Sequence, residues 1–194
     1  MQKIVAITGG IGSGKSVLSR ILMAWGYDVY DCDCEAKRIM DSDESIKRRI
    51  ASEIDAGVVS DGVIDRVLLA KIVFNDKAKL SILNSIVHNA VRHQIAEWAR
   101  QHSEKRIVFV ETAILYSSGL YNDVDAEIRV AAPEHVRIQR VIKRNGHSRE
   151  HIKARIESQK AEGCHKGENY PVYLIENDGE KALLPQIARI LRQL

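Results

Sequence analysis

Eight residues near the amino terminus, Gly9 to Ser16, have the composition of a loop that binds phosphate. They read Gly-Gly-Ile-Gly-Ser-Gly-Lys-Ser, which is the spacing G-x-x-x-x-G-K-S. Glycine lets the backbone wrap closely around phosphate oxygens with its N–H groups pointing inward. Lys15 can reach the β- and γ-phosphates, and the Ser16 hydroxyl can hold Mg²⁺. The motif therefore predicts a site for ATP and its metal ion.

The chain on either side of this loop meets the structural conditions for such a site. An apolar run at residues 3–8 predicts a buried strand, and a predicted helix from residue 15 to about residue 25 ends at Gly26. The amino terminus of that helix adds a positive partial charge beside the phosphates. We expect eight consecutive residues to contact the nucleotide, namely Gly10, Ile11, Gly12, Ser13, Gly14, Lys15, Ser16 and Val17.

Two carboxylates follow a second predicted strand at residues 28–31. Asp31 and Asp33 are two residues apart, so in extended geometry their side chains face the same side. The carboxyl ends of strands are where sheets of this kind bind ligands. A carboxylate there can accept the proton of an attacking hydroxyl or orient a magnesium-bound water. The alternative is that both are turn or capping residues.

The remaining pattern predicts an α/β fold with a five-stranded parallel sheet, helices on both faces, a helical subdomain and a basic lid. Three further apolar runs predict strands at residues 106–111, 126–132 and 172–176. From residue 43 to about residue 100 the pattern is helical throughout, which suspends the strand–helix alternation. The predicted parts of this single domain are a core at about 1–42, 103–139 and 167–194, an acceptor-binding subdomain at about 43–102 and a lid at about 140–166.

Basic residues are concentrated in the part of the chain that follows Pro133. Nine Lys or Arg stand against four Glu between Pro133 and Lys166. Arg137, Arg140 and Arg144 are spaced by three and four residues, which places them on nearly one helix face. A solvated helix face is the alternative explanation of such a run. Beside a phosphate loop, a segment that contacts the triphosphate is the better interpretation.

Composition narrows the class of protein. The 194 residues are 45% hydrophobic and 28% charged, as in a globular domain, and the net charge of +3 is too small to indicate a nucleic-acid partner. No run reaches the roughly 18 apolar residues of a membrane span, and the apolar amino terminus continues into the glycine motif without a cleavage site. We expect a cytoplasmic protein, with a monomer favoured.

Several classes of nucleotide-binding protein fit the chain less well than a kinase does. A switch GTPase would carry Asn-Lys-x-Asp, and this string is absent. Motor ATPases end the corresponding strand in Asp or Asp-Glu, whereas the strand at 106–111 ends in Glu111. A small-molecule kinase is the leading class. The residues alone leave the small acceptor open, a nucleoside monophosphate being one example, and a non-enzymatic nucleotide switch is the alternative outside enzymes.

The motifs, taken in order along the chain, closely resemble those of the dephospho-CoA kinase family. They are Ile-Val-Ala-Ile-Thr followed by the glycine loop, then Asp31-Cys32-Asp33, Asp65-Arg66, Val73-Phe74, His88, Gln139-Arg140, Arg144, Gln159 and Asn177-Asp178-Gly179. The resemblance implies transfer of the γ-phosphoryl group of ATP to the 3′-hydroxyl of the ribose in dephospho-CoA. This reaction gives coenzyme A and ADP and is the last step of coenzyme A synthesis.

The resemblance also assigns roles to individual residues. Asp33 is implied as the catalytic base that contacts the acceptor, and Asp31 as an organiser of Mg²⁺ or its water. Arg66 and His88 are implied as acceptor-site residues, with a surface cation and a core histidine as the alternatives. Arg140 and Arg144 are implied as catalytic contacts with ATP or the lid, beside the catalytic Lys15 that the glycine motif already predicts, and Asn177 is implied as part of the adenine-side loop.

The likeness weakens after the strand at 106–111. The family has Pro-Leu-Leu, an aromatic residue and Glu where this chain has Ala113-Ile114-Leu115-Tyr116-Ser117. Ser117 thus stands in place of a carboxylate. Glu111 is then the candidate to supply the missing charge.

Overall fold

The computed structural model describes residues 1–146, 148–159 and 169–194. The chain forms two compact units: the first contains Met1–Tyr30 and His102–Leu194, and the second contains Asp31–Gln101. No helix of the described residues is long and apolar enough to cross a membrane.

The elements of the described residues follow one another along the chain in this order: β1 (Lys3–Thr8), α1 (Lys15–Ala24), β2 (Val29–Asp31), α2 (Cys32–Ser42), α3 (Glu44–Glu53), β3 (Val59–Ser60), β4 (Val63–Ile64), α4 (Arg66–Phe74), α5 (Lys77–Gln101), β5 (Ile107–Glu111), β6 (Ala126–Ala131), α6 (Glu134–Asn145), α7 (Arg149–Ser158), β7 (Val172–Glu176) and α8 (Leu183–Leu191). Short 3₁₀ turns lie at Ala56–Val58 and Leu120–Asp123.

A five-stranded parallel sheet in the order β2-β5-β1-β6-β7 forms the centre of the first unit. All five residues of β5 are buried, as expected for a strand with neighbours on each side and covered faces. The sheet confirms the α/β fold predicted from the sequence. Since parallel strands end at one edge, the segments that follow β1, β5, β6 and β7 all leave the sheet at that edge.

One apolar core fixes the strands from which the glycine loop departs. Leu18 and Leu22 of α1 and Ile187 and Ile190 of α8 share this core with the inward-facing residues of the sheet. The ring of Phe109 meets Tyr27 edge-on, with centroids 5.4 Å apart and planes at 87°. The side chains that alternate with this set, among them Glu127 of β6, face the other side of the sheet.

The helices of the second unit begin at aspartate caps. Asp31 caps α2, Asp43 caps α3 and Asp65 caps α4, each with a side-chain oxygen that accepts from backbone N–H groups of the first turn. Asp76 accepts in the same way from the first turn of α5. These bonds satisfy amide groups that have no partner inside the helix. The local sequence therefore defines where each helix starts.

The expectation that residues 43–100 are helical throughout is wrong. The antiparallel hairpin of β3 and β4 interrupts the helices. Its turn is Asp61-Gly62, and both residues have positive φ, 49° and 73°. An Asp-Gly pair is a strong hairpin signal because these residue types tolerate that backbone conformation. Helix α2 was also not predicted.

Candidate active site

The glycine loop between β1 and α1 has a backbone that only glycine adopts without strain. Gly9, Gly12 and Gly14 have φ values of 139°, 77° and 104°. A Cβ on Gly9 would lie 2.4 Å from the carbonyl oxygen of Val130, and one on Gly14 would lie 2.1 Å from Nδ2 of Asn177. The glycines therefore serve both the turn and close contact with neighbouring segments.

Asn177, just after β7, holds the middle of this loop. Its Nδ2 donates to the Ser13 carbonyl over 2.8 Å, and its own N–H donates to the Ala131 carbonyl over 2.8 Å. Arg140 of α6 donates to the carbonyl and side-chain oxygens of Asn177 over 3.0 and 3.2 Å. The structure thus brings together Arg140, Asn177 and the loop, all of which the sequence singled out.

Helices α6 and α7 hold a second point of the loop, Ile11. Its carbonyl accepts from Arg137 Nε over 2.8 Å, and its N–H donates to the side-chain oxygen of Gln159 over 2.8 Å. The Ile11 side chain packs on a small core that includes Ile138 and Ile152 of the two helices. Burial lowers the pKa of Arg137, and the charge of Glu134 partly opposes that shift.

Lys15 and Ser16 lie at the start of α1 beside a buried carboxylate. Lys15 Nζ donates to the Gly9 carbonyl over 2.7 Å. The hydroxyls of Ser16 and Ser19 donate to the two oxygens of Glu111 over 2.8 and 2.6 Å. A hydroxyl and a carboxylate beside a phosphate loop fit Mg²⁺, which prefers oxygen ligands and keeps several waters and phosphate oxygens of its own.

A cleft of about 330 Å³ adjoins the first half of the loop. The loop contributes Gly9, Gly10 and Ser13, and the hydroxyl oxygen of Ser13 is buried without a hydrogen-bond partner among the described residues. The rest of the wall comes from helices α6 and α7, from the ends of strands β1 and β6, and from the segment that follows β5. The other lining residues are Thr8, Ala113, Leu115, Arg129, Val130, Ala131, Ala132, Glu134, Arg137, Ile156 and Gln159.

A charged cluster lies against this cleft on the second face of the sheet. Glu127 is fully buried and accepts hydrogen bonds from Thr8, from the Tyr116 hydroxyl (2.6 Å) and from Nε and Nη2 of Arg129 (2.9 and 3.0 Å). Burial raises the pKa of Glu127, but the hydrogen bonds from Arg129, Thr8 and Tyr116 together bring it below its ordinary value. The carboxylate is therefore ionised although it is buried.

The predicted acceptor carboxylates lie in the second unit, and their predicted geometry is wrong. The chain becomes helical at Cys32, so Asp31 and Asp33 are not on one extended strand. Asp31 Oδ1 caps α2 by accepting from the Cys34 N–H over 3.0 Å, and Asp33 is exposed in the first helical turn. Residues two apart on a helix do not face each other. Their roles stay predictions that no longer depend on a shared face.

The other predicted site residues occupy three separate helices. Arg66 begins α4 and donates to the Lys37 carbonyl and to Asp41, over 3.0 and 2.8 Å, which joins α4 to α2. His88 is half-buried in α5. Arg144 is exposed in the last turn of α6, one turn beyond Arg140. Residues 147 and 160–166 of the predicted lid lie outside the described residues.

A family model described as dephospho-CoA kinase matches residues 3–182. The chain belongs to the dephospho-CoA kinase family. A dephospho-CoA kinase from Porphyromonas gingivalis is 37% identical over 194 residues, which cover 96% of this chain and 92% of that protein. Membership of the dephospho-CoA kinase family makes the chain an ATP-dependent kinase.

Solved structures agree with this family in fold. A crystal structure of a protein from Thermus thermophilus has a TM-score of 0.77 and 32% identity, covering 99% of this chain and 95% of that one. A dephospho-CoA kinase from Campylobacter jejuni has a TM-score of 0.70 and 26% identity, covering 100% and 97%. The likeness to dephospho-CoA kinases thus extends over both units.

The contacts around the cleft include residues that the sequence did not single out. Arg137 was placed on the basic helix face without a role of its own, and Gln159 appeared only within the resemblance. Glu127 and Arg129 were counted as part of an apolar strand. The available signal was their spacing, since two opposite charges two residues apart on a covered strand face the same side.

We predict that Glu127→Gln destabilises the protein by about 2 to 4 kcal/mol at pH 7, because it leaves the Arg129 charge without its partner. The folded-state pKa of Glu127 is lowered, so its stabilising effect is complete above the ordinary glutamate pKa of about 4.3 and is lost as pH falls through the folded value. Urea unfolding of both proteins should show a difference in free energy that shrinks below about pH 4.

Glu53→Gln is the matched control, because Glu53 pairs with Arg49 on the exposed surface of α3. This change should leave the free energy of unfolding nearly unchanged at pH 7 and below about pH 4. A Glu127→Gln protein that is as stable as the unaltered chain at pH 7 would contradict the role given to the cluster.

Proposed function

We propose that this chain transfers the γ-phosphoryl group of ATP to the 3′-hydroxyl of the ribose of dephospho-CoA, with Mg²⁺ as the metal ion. The family match over residues 3–182 carries the proposal. The glycine loop supports it as the donor site, because its buried hydroxyl, its lysine and the start of α1 suit a triphosphate. Cytoplasmic location, a monomeric state and the absence of a nucleic-acid partner stay predictions.

On the donor side, the chain supplies positive charge and metal ligands. Lys15 would contact the β- and γ-phosphates once it exchanges its contact with the Gly9 carbonyl for phosphate oxygens. Ser16 would ligate Mg²⁺, and Glu111, which accepts a hydrogen bond from the Ser16 hydroxyl, would orient a metal-bound water. The predicted role of Asp31 is also to organise Mg²⁺ or its water. The metal, when bound, offsets the charge that spreads over the transferred group.

On the acceptor side, Asp33 is the proposed general base. It would take the proton of the ribose hydroxyl as that oxygen attacks the γ-phosphorus. Its exposure in the first turn of α2 leaves the carboxylate accessible to a substrate. Arg66 and His88 would bind dephospho-CoA, Arg140 and Arg144 would contribute charge to the triphosphate, and Asn177 would lie on the adenine side.

Mass spectrometry of dephospho-CoA after incubation with the protein, ATP and magnesium tests the reaction. We expect a product that carries one more phosphoryl group, a mass gain of HPO₃, and a matching amount of ADP. Nucleoside monophosphates offered in parallel should stay unmodified. Phosphorylation of a nucleoside monophosphate in place of dephospho-CoA would favour a nucleoside monophosphate kinase. Hydrolysis of ATP with no phosphorylated product would favour a nucleotide switch.

Asp33→Asn should lower kcat by about 10²-fold to 10⁴-fold, because the amide keeps the size of the carboxylate but cannot accept a proton. The affinity for ATP should change little. The measurement needs saturating dephospho-CoA, so that a weaker acceptor site is not mistaken for slower chemistry. Asp31→Asn is the comparison, with its main effect expected on the magnesium requirement. A variant that keeps more than about a tenth of kcat would rule out Asp33 as the base.

Ser16→Ala should raise the magnesium concentration needed for half-maximal activity, because it removes a proposed ligand of the metal. Excess magnesium should restore part of the lost rate. Ser16→Thr keeps a hydroxyl at the same position and is the matched control, with a requirement close to that of the unaltered chain. Equal losses in both variants, without rescue by magnesium, would mean that the Ser16 hydroxyl does not bind the metal.

A further inference from the structure

Arg129 brings a second arginine to the wall of the cleft, from a strand and not from a helix. The parallel register of β1 and β6 pairs it with Thr8, the residue just before the glycine loop. Its side chain lines the cleft and is 28% exposed, whereas the Glu127 side chain behind it has no exposed surface. Arg129 thus borders the cleft with a partly exposed side chain and pairs on its buried side with Glu127.

Three hydrogen bonds fix the orientation of this guanidinium. Nε and Nη2 donate to the two carboxylate oxygens of Glu127 over 2.9 and 3.0 Å, and Nη2 also donates to the Tyr116 hydroxyl over 2.9 Å. A planar, two-point arrangement of this kind leaves little side-chain freedom to lose when a ligand binds. Arg129 is therefore pre-oriented.

Stability alone does not account for such a cluster. Replacing a buried ion pair by apolar residues of similar volume is often neutral or stabilising. Ile128 and Val130, which alternate with Glu127 and Arg129 along β6, face the apolar core on the opposite side of the sheet, so the charged pair belongs to the face that borders the cleft. A role in ligand binding explains why charge is kept here.

We propose that Arg129 binds the terminal phosphoryl group of ATP, an inference that rests on the proposed function. The adenine-side residue, Asn177, contacts the loop at Ser13 and Gly14. A triphosphate that starts there runs along the loop towards Gly9 and Gly10, where the cleft opens. Arg129 and Arg137 are the cations of the cleft wall among the described residues, and Glu134 is the anion.

Equilibrium binding without the acceptor tests this contact, with the β,γ-imido analogue of ATP and ADP as the two probes. Arg129→Met should raise the Kd of the ATP analogue about 10-fold or more and the Kd of ADP less than about 2-fold. The loss of one charge-assisted hydrogen bond accounts for a change of that size. The Kd of the ATP analogue for Arg129→Lys should lie between the values for the unaltered protein and for Arg129→Met. Arg189→Met, on the exposed face of α8, is the control and should change neither Kd.

A second variant separates binding from folding. Arg129→Met leaves the Glu127 carboxylate buried without its counter-charge, whereas Glu127→Gln with Arg129→Met removes both charges. We expect the double variant to fold and to keep the selective loss of affinity for the ATP analogue. If the double variant binds both nucleotides as the unaltered protein does, or loses affinity for both by the same factor, the ratio of the two Kd values is unchanged and the proposal is overturned.

Failure of this inference and failure of the proposed function give different results. Binding is measured without dephospho-CoA, so a wrong acceptor would leave the nucleotide result unchanged. It would instead appear as a lack of phosphorylated dephospho-CoA in the mass-spectrometric assay of the unaltered chain.

Discussion

The hydrogen bond from the Asn177 amide to the Ser13 carbonyl joins the glycine loop to the segment that follows the edge strand β7. The loop has few side chains of its own to hold it, because glycine occupies the positions where φ is positive. The conformation of the loop therefore depends on side chains that belong to other segments of the chain. Asn177, itself bonded by Arg140, secures the loop at Ser13, while Arg137 and Gln159 secure it at Ile11.

The parts of the fold that could be predicted from sequence are those with a local signal. The loop is recognisable because its glycines, lysine and serine are contiguous, and β1, β5, β6 and β7 because each is a short apolar run. Helix α2 was missed because the residues after Asp31 were taken to continue in extended geometry, whereas Asp31 ends β2 and its side chain caps the helix that starts at the next residue. One capping bond thus decided between the two backbone conformations.

The contacts of the candidate site were less predictable because they join distant parts of the chain. Thr8, Tyr116 and Glu127 meet only after β1 and β6 pair, and no spacing along the sequence encodes that meeting. The Asp61-Gly62 hairpin had a local signal, but the apolar stripes on both sides of it favoured continuous helix. Glu111 was identifiable as a strand-end carboxylate, and only the structure revealed its two serine partners.

Ile11 uses its carbonyl, its N–H group and its side chain for contacts with one pair of helices, α6 and α7. Three attachments at a single residue leave it little freedom to move independently of that pair. A displacement of the two helices is therefore transmitted to the loop through the two peptide groups on either side of the Ile11 α-carbon and through the Ile11 side chain. Conversely, a ligand that fixes the peptide at Ile11 limits the motion of both helices, so the stiffness of the loop and that of the helix pair change together.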